Sequence, residues 1–411
     1  MDNKGLIEIS RYKKGAYVYI EGVEKATTFY YIQDGRVELI SQGIKDYSLK
    51  DKTLGKGKIF GLIATMAGQK YLESAIALTD LEILVIPKKE FVQAVTKMPS
   101  IAFDALTQIT SRECELIKEL CVLLLHKHDQ PDLPRIFDLG EYYSLNGYFE
   151  SANYAYQKYL HYFPQGDKIQ EARDRLKQIA THVKKSDASF RPEENSRSYP
   201  QNSIVFIEGE PCDDFFMIQK GQIKLTKISN NSETILAILK PGSFFGEVSM
   251  IESKPCPYSA IAFTDCEIIA INRPSFEAML RAKPQVIANI VSQLCERLWL
   301  MYKQIDGALS QDPLARLFNT LLVGVENDKV DPSRSVSHKL SFGIKELIDM
   351  AGVKVGEGDD SIRRLSELGR LQVLQEEILI SDVSEIQRRS EYYRKKQRLM
   401  YQSYRSVGLN L

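Results

Sequence analysis

The stretch Phe245-Gly246-Glu247-Val248-Ser249-Met250, followed by Ser259-Ala260-Ile261-Ala262-Phe263-Thr264-Asp265, occurs twice in this chain. The earlier copy is Phe60-Gly61-Leu62-Ile63-Ala64-Thr65-Met66, then Ser74-Ala75-Ile76-Ala77-Leu78-Thr79-Asp80. The two align without a gap at an offset of about 185 residues, an internal repeat of domain size.

The likeness extends upstream of both copies. Tyr17-Val18-Tyr19-Ile20-Glu21-Gly22 matches Ile204-Val205-Phe206-Ile207-Glu208-Gly209, and Phe29-Tyr30-Tyr31-Ile32-Gln33-Asp34-Gly35 matches Phe215-Phe216-Met217-Ile218-Gln219-Lys220-Gly221. Apolar residues alternate with polar ones, and Asp-Gly or Lys-Gly between two such runs signals a hairpin. Short strands at regular spacing predict a roll or barrel. After each roll the period changes. Ile287, Val291, Leu294, Leu298, Met301 and Ile305 follow Pro284 at alternating intervals of about four and three, the seam of a long helix. Pro99 opens a rougher equivalent through Leu106, Ile109, Leu116, Leu120 and Leu124. Seam helices of this kind predict helix-to-helix pairing, either in a homodimer or between the two repeats of one chain, a pseudo-dimer.

Composition narrows the function classes. The 411 residues carry no formal net charge, so no global field draws the chain to nucleic acid or an anionic membrane. The first residues lack the apolar core of a secretory signal, no run is long enough to span a bilayer, and no membrane partner is expected. The six cysteines form no Cys-x-x-Cys pair, which fits a reducing cytoplasm. His126 and His128 have no third ligand nearby, so no metal site is expected. No phosphate-binding loop, nucleophile elbow, zinc-protease motif or cysteine–histidine pairing is present, and the chain is expected not to be an enzyme.

With these residues, both repeats resemble the cyclic nucleotide-binding domain shared by Crp/Fnr-type bacterial regulators and the tandem regulatory subunits of cyclic-AMP-dependent protein kinases. The family signature is Phe-Gly-Glu, a short helix, an Arg-Ala or Arg-Ser pair, then Thr or Ser. The resemblance implies that the glycine admits the ligand backbone-close, the glutamate accepts from the ribose 2′-hydroxyl, and the arginine neutralises the cyclic phosphate. Carried over, it implies a ligand site in the second repeat at Gly246, Glu247, Val248, Ser249, Lys254, Cys256, Pro257 and Ser259. Cys256 stands where the arginine belongs, and Pro257 replaces the small residue after it. The first repeat is a degenerate pocket: Gly61 and Ser74 remain, but Leu62 replaces the glutamate and Tyr71 the arginine. Losing the cation opposite a buried anion costs about 3–5 kcal/mol, so cyclic AMP in the family's usual pose is not expected. A cyclic nucleotide of another kind is the candidate effector, and no cofactor is certain. Lys70 and Lys254 supply point charges near the lips, or are plain exposed loop lysines.

Between the repeats, Leu139-Gly140, Tyr143, Gly147, Ala152, Tyr156 and Pro164 stand at the spacing of a single tetratricopeptide-like repeat, with a third helix through Ile169, Ala172, Leu176 and Ile179. Residues 131–184 are thus either a spacer or a docking surface for a protein partner. After the second seam helix, two helical runs separated by a turn precede two strand-like runs, Leu371–Leu374 and Ile378–Ile380. Ser341 is the expected helix cap and Gly352 the expected stop. The order resembles the winged helix-turn-helix of Crp/Fnr regulators, which implies DNA contact through Ser361, Arg363, Arg364 and Arg370. Glu357, Asp359 and Asp360 depart from that pattern at the head of the reading helix. A basic tail, with Arg388, Arg389, Arg394, Lys395, Lys396, Arg398 and Arg405 among Tyr392, Tyr393, Tyr401 and Tyr404, suits phosphate contacts or covers the winged module as a terminal helix.

The expected architecture is α+β and multidomain: two jelly-roll-like β-rolls with long helices, a helical linker and a winged-helix domain. The expected division is 1–125, 126–184, a linker at 185–200, 201–308, 309–387 and a tail at 388–411. The leading functional reading is a cytoplasmic, ligand-sensing, DNA-binding regulator. The alternative is a non-enzymatic scaffold whose degenerate pockets bind nothing and which engages proteins.

Overall fold

The computed structural model describes residues 7–23, 25–41, 53–125, 135–183, 196–212, 214–229, 232–353, 357–369 and 371–406. Arg370, His126 and His128 lie outside them, as do the side chains of Arg398, Tyr401, Tyr404 and Arg405. The chain divides into two compact units: residues 1–117, 130–227 and 237–299, and residues 118–129, 228–236 and 300–411.

The two rolls have one topology. In the first, one sheet orders Glu8–Tyr12, Leu81–Pro87, Thr28–Asp34 and Ile59–Phe60, and the other orders Tyr17–Tyr19, Ser74–Ala77, Val37–Ile40 and Thr53–Leu54. The second roll repeats both orders with Ser196–Tyr199, Cys266–Asn272, Asp214–Lys220 and Phe244–Phe245, and with Ile204–Phe206, Ser259–Ala262, Ile223–Ser229 and Ser232–Leu239. Even the irregularities coincide: the register slips between Tyr17 and Tyr19 and between Ile204 and Phe206, and again between Ile32 and Asp34 and between Ile218 and Lys220. Ser196–Tyr199, inside the stretch expected to be linker, is the outer strand of the second roll and pairs with Cys266–Ile269.

Matched hydrogen bonds fix the correspondence residue by residue. The Glu21 and Glu208 backbone N–H groups donate to Ser74 Oγ and Ser259 Oγ, each at 2.9 Å. The Gly22 N–H donates to the Tyr71 carbonyl at 3.0 Å, and the Gly209 N–H to the Cys256 carbonyl at 2.9 Å. Tyr71 and Cys256 are therefore equivalent positions.

The turn at Gly35 and Gly221 is not the hairpin that Asp-Gly and Lys-Gly signal. The strands on either side belong to opposite sheets, so the chain crosses from one to the other there. The crossing needs glycine: φ is +91° at Gly35 and +78° at Gly221, and an added Cβ would stand 2.4 Å from the Asp80 carbonyl oxygen or 2.1 Å from that of Asp265.

Both seam helices form, as Ser100–Leu125 and Pro284–Ala308. Every seam residue named from the sequence in either helix is buried. Between the rolls, Arg135–Leu145, Phe149–Tyr162 and Ile169–Ile179 are helices. Gly140 lets the first two approach, because a Cβ there would meet the Tyr156 ring at 2.6 Å. Glu141 ties the third helix on, accepting from Arg175 Nε at 2.8 Å and Nη2 at 3.0 Å and from the Tyr156 hydroxyl at 2.6 Å.

In the second unit, helix Pro313–Asn327 packs against Ile344–Ala351, Glu357–Gly369 and Val383–Ser406. The two expected strands pair as Leu371–Val373 with Ile378–Ile380, and a third, His338–Leu340, joins the latter. Gly343, not Ser341, precedes the first of these helices, and its N–H donates to Glu346 Oε2 at 3.0 Å. Gly343 lies against the Leu371–Ile380 turn, where a Cβ would fall 1.6 Å from the Gln375 carbonyl oxygen. Gly352 ends the helix at φ 59°, as its sequence position implies.

The glycine pair Gly221 and Gly242 separates crowding from backbone strain. Gly242 has φ +85° with nothing within 4 Å of an added Cβ. Gly242→Ala is expected to cost about 1–3 kcal/mol from the left-handed backbone alone. Gly221→Ala adds a clash with the Asp265 carbonyl, for a total of about 2–5 kcal/mol by urea unfolding.

Candidate effector cradles

In the second roll Gly246 turns the chain at φ +85° into the short helix Glu247–Glu252. An added Cβ at Gly246 would sit 2.9 Å from the Asp214 carbonyl oxygen, so the strand-to-helix corner is closed to any larger residue. Glu247, Val248, Ser249, Cys256 and Ser259 are all buried, and Pro257 is half-buried. Of these, Ser249 and Cys256 meet, Oγ to Sγ at 3.2 Å. Lys254 is exposed and pairs with Glu252, Nζ to Oε2 at 2.5 Å, which also raises its pKa. It is a lip lysine engaged by its neighbour.

Glu247 is already engaged. Its Oε1 pairs with Arg297 Nη2 and accepts from the Tyr258 hydroxyl at 3.2 Å. Arg297 comes from the second seam helix. Its Nη1 donates to the Phe244 carbonyl at 3.0 Å, and its Nη2 also meets Glu113 of the first seam helix at 2.8 Å. All three charged side chains are buried. Within this unit a seam-to-seam ion pair therefore joins the two repeats of one chain.

One guanidinium faces two carboxylates, and water cannot neutralise the surplus. Burial opposes ionisation of Glu247, yet Arg297 and the hydrogen bonds to its carboxylate outweigh it and hold its pKa below the usual value. Burial pushes Glu113 well up, and the Glu247 charge adds to this against Arg297. The two carboxyls titrate as a pair, and Glu113 is the one pushed toward its neutral form. Glu247 Oε2 and Arg297 Nε are buried without a hydrogen-bond partner among the described residues.

The position of the family's arginine is held by a neutral thiol. Burial raises the Cys256 pKa well above the ordinary value, with Cys212 adding to the rise, and its Sγ lies 3.2 Å from Ser249 Oγ. Arg297 is on the carboxylate side of the cradle, bound to Glu247 and Glu113, and the buried Lys227 pairs with Glu208 at 2.9 Å.

The first cradle is filled by its own rings. Tyr71 stacks on Tyr19 at 3.8 Å, Tyr19 on Tyr30 at 5.6 Å and Tyr30 on Phe60 at 5.0 Å. The Tyr71 hydroxyl donates to the Thr28 carbonyl at 2.5 Å, anchoring the ring 3.0 Å from where a Gly61 Cβ would stand. Leu62 is buried at the glutamate position, and Ser74 serves the Glu21 backbone.

Arg297, Glu113 and Tyr258 are the site residues that motif reading missed. A signal for two of them lay in the seams. The run Leu106, Ile109, Leu116 and Leu120 skips position 113, where the period calls for an apolar residue and the chain has glutamate. Arg297 likewise interrupts the apolar side of its helix next to Leu298.

At the C-terminus Arg363 and Arg364 are exposed on helix Glu357–Gly369, and Ser361 is half-buried. Arg363 Nη2 pairs with Asp360 Oδ1 at 2.6 Å. Much of the basic tail is engaged within helix Val383–Ser406 and its neighbours: Arg388 and Arg389 bond Glu385, Arg394 bonds Asp306 at 3.0 Å, and Tyr393 stacks on Phe318. Lys395 and Lys396 are exposed.

Comparison with known proteins gives the two rolls a family. The cyclic nucleotide-binding domain matches residues 9–97 and 196–283. A CRP-like cAMP-activated global transcriptional regulator of Mycobacterium tuberculosis is 23% identical over 195 residues, spanning 47% of this chain and 86% of that protein. A cyclic AMP receptor protein of Thermus thermophilus is 32% identical over 103 residues, 25% of this chain and 48% of that one. A solved CRP/FNR-family transcriptional regulator from Thermus thermophilus covers 48% of this chain and 98% of its own, at 18% identity and TM-score 0.38. The chain carries tandem cyclic nucleotide-binding domains, and the Mycobacterium tuberculosis relative is a transcriptional regulator. Among the described residues no helix is long and apolar enough to cross a membrane, and no group of side chains is placed to hold a metal ion.

The buried triad sets two expectations. Arg297→Met leaves Glu247 without its cation and lowers unfolding free energy by about 3–5 kcal/mol, and adding Glu247→Gln restores most of the loss in urea titrations. The raised Glu113 carboxyl stabilises the fold below its unfolded-state pKa, and that contribution is lost as pH rises toward the folded value. Glu113→Gln is expected to flatten that decline in unfolding curves recorded at increasing pH.

Proposed function

We propose that the chain is a transcription regulator of the Crp/Fnr kind that binds DNA through residues 309–387 and senses its effector at the second roll. In this reading residues 1–125 are a degenerate sensor domain, 126–184 a tetratricopeptide-like piece, and 388–411 a tail that partly covers the DNA-binding module. The second sensor domain begins at Ser196, with its outer strand, and runs to 308.

The observation that carries the proposal is the sequence of elements after the second seam helix: helix, strand, helix, turn, helix and a two-stranded wing, with Arg363 and Arg364 exposed on the last helix before the wing. That order suits a reading helix in the major groove, with Ser361, Arg363, Arg364 and Arg370 as its contacts. Among the described residues one such module is present, so in this reading one chain reads one half-site. Two rolls joined by their own seam helices within a single chain leave no need for a second copy to complete the seam.

The effector acts by competition. Gly246, Glu247, Val248, Ser249, Cys256, Pro257 and Ser259 line the cradle, and a ligand that takes Glu247 frees Arg297. Arg297 lies on the helix that runs on from the second roll, so the exchange biases the position of that helix. Cyclic AMP in the family's usual pose is a poor candidate, since its phosphate finds a thiol and its ribose finds a carboxylate in use. A ligand with its own cation opposite Glu247, or with a neutral group opposite Cys256, fits better.

Band shifts on a pool of random duplexes across a salt series test the DNA part. Retention is expected near physiological salt, and Arg363→Ala and Arg364→Ala each weaken it and lower the salt slope by about 1. A folded protein that retains no duplex overturns the proposal.

A further inference from the structure

The two rolls differ in what lies over one face, and the duplication shows what is missing. Counting from the matched hydrogen bonds at Glu21 and Glu208, Tyr17 corresponds to Ile204, Ile20 to Ile207 and Val23 to Glu210. In the second roll these three are 6%, 0% and 4% exposed, whereas in the first they are 56%, 52% and 62% exposed. The same strand edge, with the same fold around it, is covered in one copy and bare in the other.

The cover in the second roll is a helix of this chain, Phe149–Tyr162. Ser151 Oγ donates to the Asn202 carbonyl at 3.5 Å, and the Tyr154 hydroxyl lies 3.4 Å from the Val205 carbonyl of the edge strand. Tyr154 and Tyr162 donate to Glu210 at 2.9 and 3.3 Å, and Lys158 forms an ion pair with it. Positions 151, 154, 158 and 162 share one helical face. Ile136 of the preceding helix reaches Gly209, 3.7 Å from where a Cβ would stand. A helix pair thus caps the edge carbonyls with hydroxyls and closes on Glu210 with a cation.

We propose that the bare face of the first roll, Tyr17, Ile20 and Val23, docks a pair of α-helices from a partner protein in the manner that Arg135–Leu145 and Phe149–Tyr162 dock on the second roll. Val23 in place of Glu210 fixes the difference in chemistry. The partner's contact helix carries hydroxyl side chains toward the edge strand, as Ser151 and Tyr154 do, and apolar side chains at the positions of Lys158 and Tyr162. A lysine there would be buried against valine with no counter-charge. Among the described residues, the docking face of Phe149–Tyr162 is already spent on the second roll. The inference is independent of DNA binding and of any effector.

Photo-crosslinking in the source cells tests it, with p-benzoylphenylalanine placed at position 20 or 23 of the full-length chain and, as a control, at exposed Val336. The expected result is one partner protein joined from both positions and not from the control. Its crosslinked residues should fall three or four apart on a helix. Tyr17→Glu, at an exposed site that leaves thermal unfolding unchanged, should cut the adduct at least about tenfold, as a charge in an apolar contact does. No adduct above the control, an adduct with a second copy of this chain, crosslinks at alternate residues of an extended strand, or an adduct indifferent to Tyr17→Glu would each overturn the proposal.

Discussion

Arg297 reaches from the second seam helix to two carboxylates that water does not touch, Glu247 at the mouth of the second cradle and Glu113 on the helix of the other repeat. Desolvating three such groups is costly; the guanidinium pairs with both carboxylates, and burial pushes Glu113 toward its neutral form. Two consequences follow from one cluster. The repeats are joined across their seams within a single chain, and the glutamate that the family uses for a ribose is committed to the protein itself. Tyr258 completes the enclosure by donating to the same oxygen.

The two cradles are lined differently on one framework. In the first, Tyr71 occupies the arginine position with a ring that stacks on Tyr19, and a carbonyl, that of Thr28, takes its hydroxyl. In the second, the equivalent Cys256 is too small to fill the space, and the Tyr258 ring, two residues on, packs 5.8 Å from Phe206. The strand orders, register slips and crossing glycines of the two rolls stayed the same while these fillings diverged. Backbone geometry constrained by sheet pairing and positive φ tolerates few changes, whereas the side chains that line the cradles differ between the rolls.

The rolls, both seam helices, and the helices and two wing strands of the last module were legible in the sequence, because each depends on a local period, whereas strand His338–Leu340 and the Gly343 cap were not. The turn at Gly35 was legible as a turn but not as a crossing between sheets, since the partner of each strand lies far along the chain. Ser196–Tyr199 hid in a polar stretch because an outer strand with one exposed side needs little apolar character. The triad escaped motif reading because its members come from three elements, with Glu247 lying 50 residues and Glu113 184 residues from Arg297. The polar residues Glu113 and Arg297 in otherwise apolar seams hinted at it, but neither seam says that the two meet.

A proton held by Glu113 at neutral pH is the direct signature of one guanidinium shared by two buried carboxylates. Infrared difference spectra between the native protein and Glu113→Gln at neutral pH measure it. The account predicts that the native protein shows the carbonyl stretch of a protonated carboxyl group, absent from Glu113→Gln and shifted by carbon-13 labelling of glutamate. A difference spectrum containing only ionised carboxylate bands would contradict it, for then both glutamates carry charge beside a single arginine and the cluster cannot be closed to water.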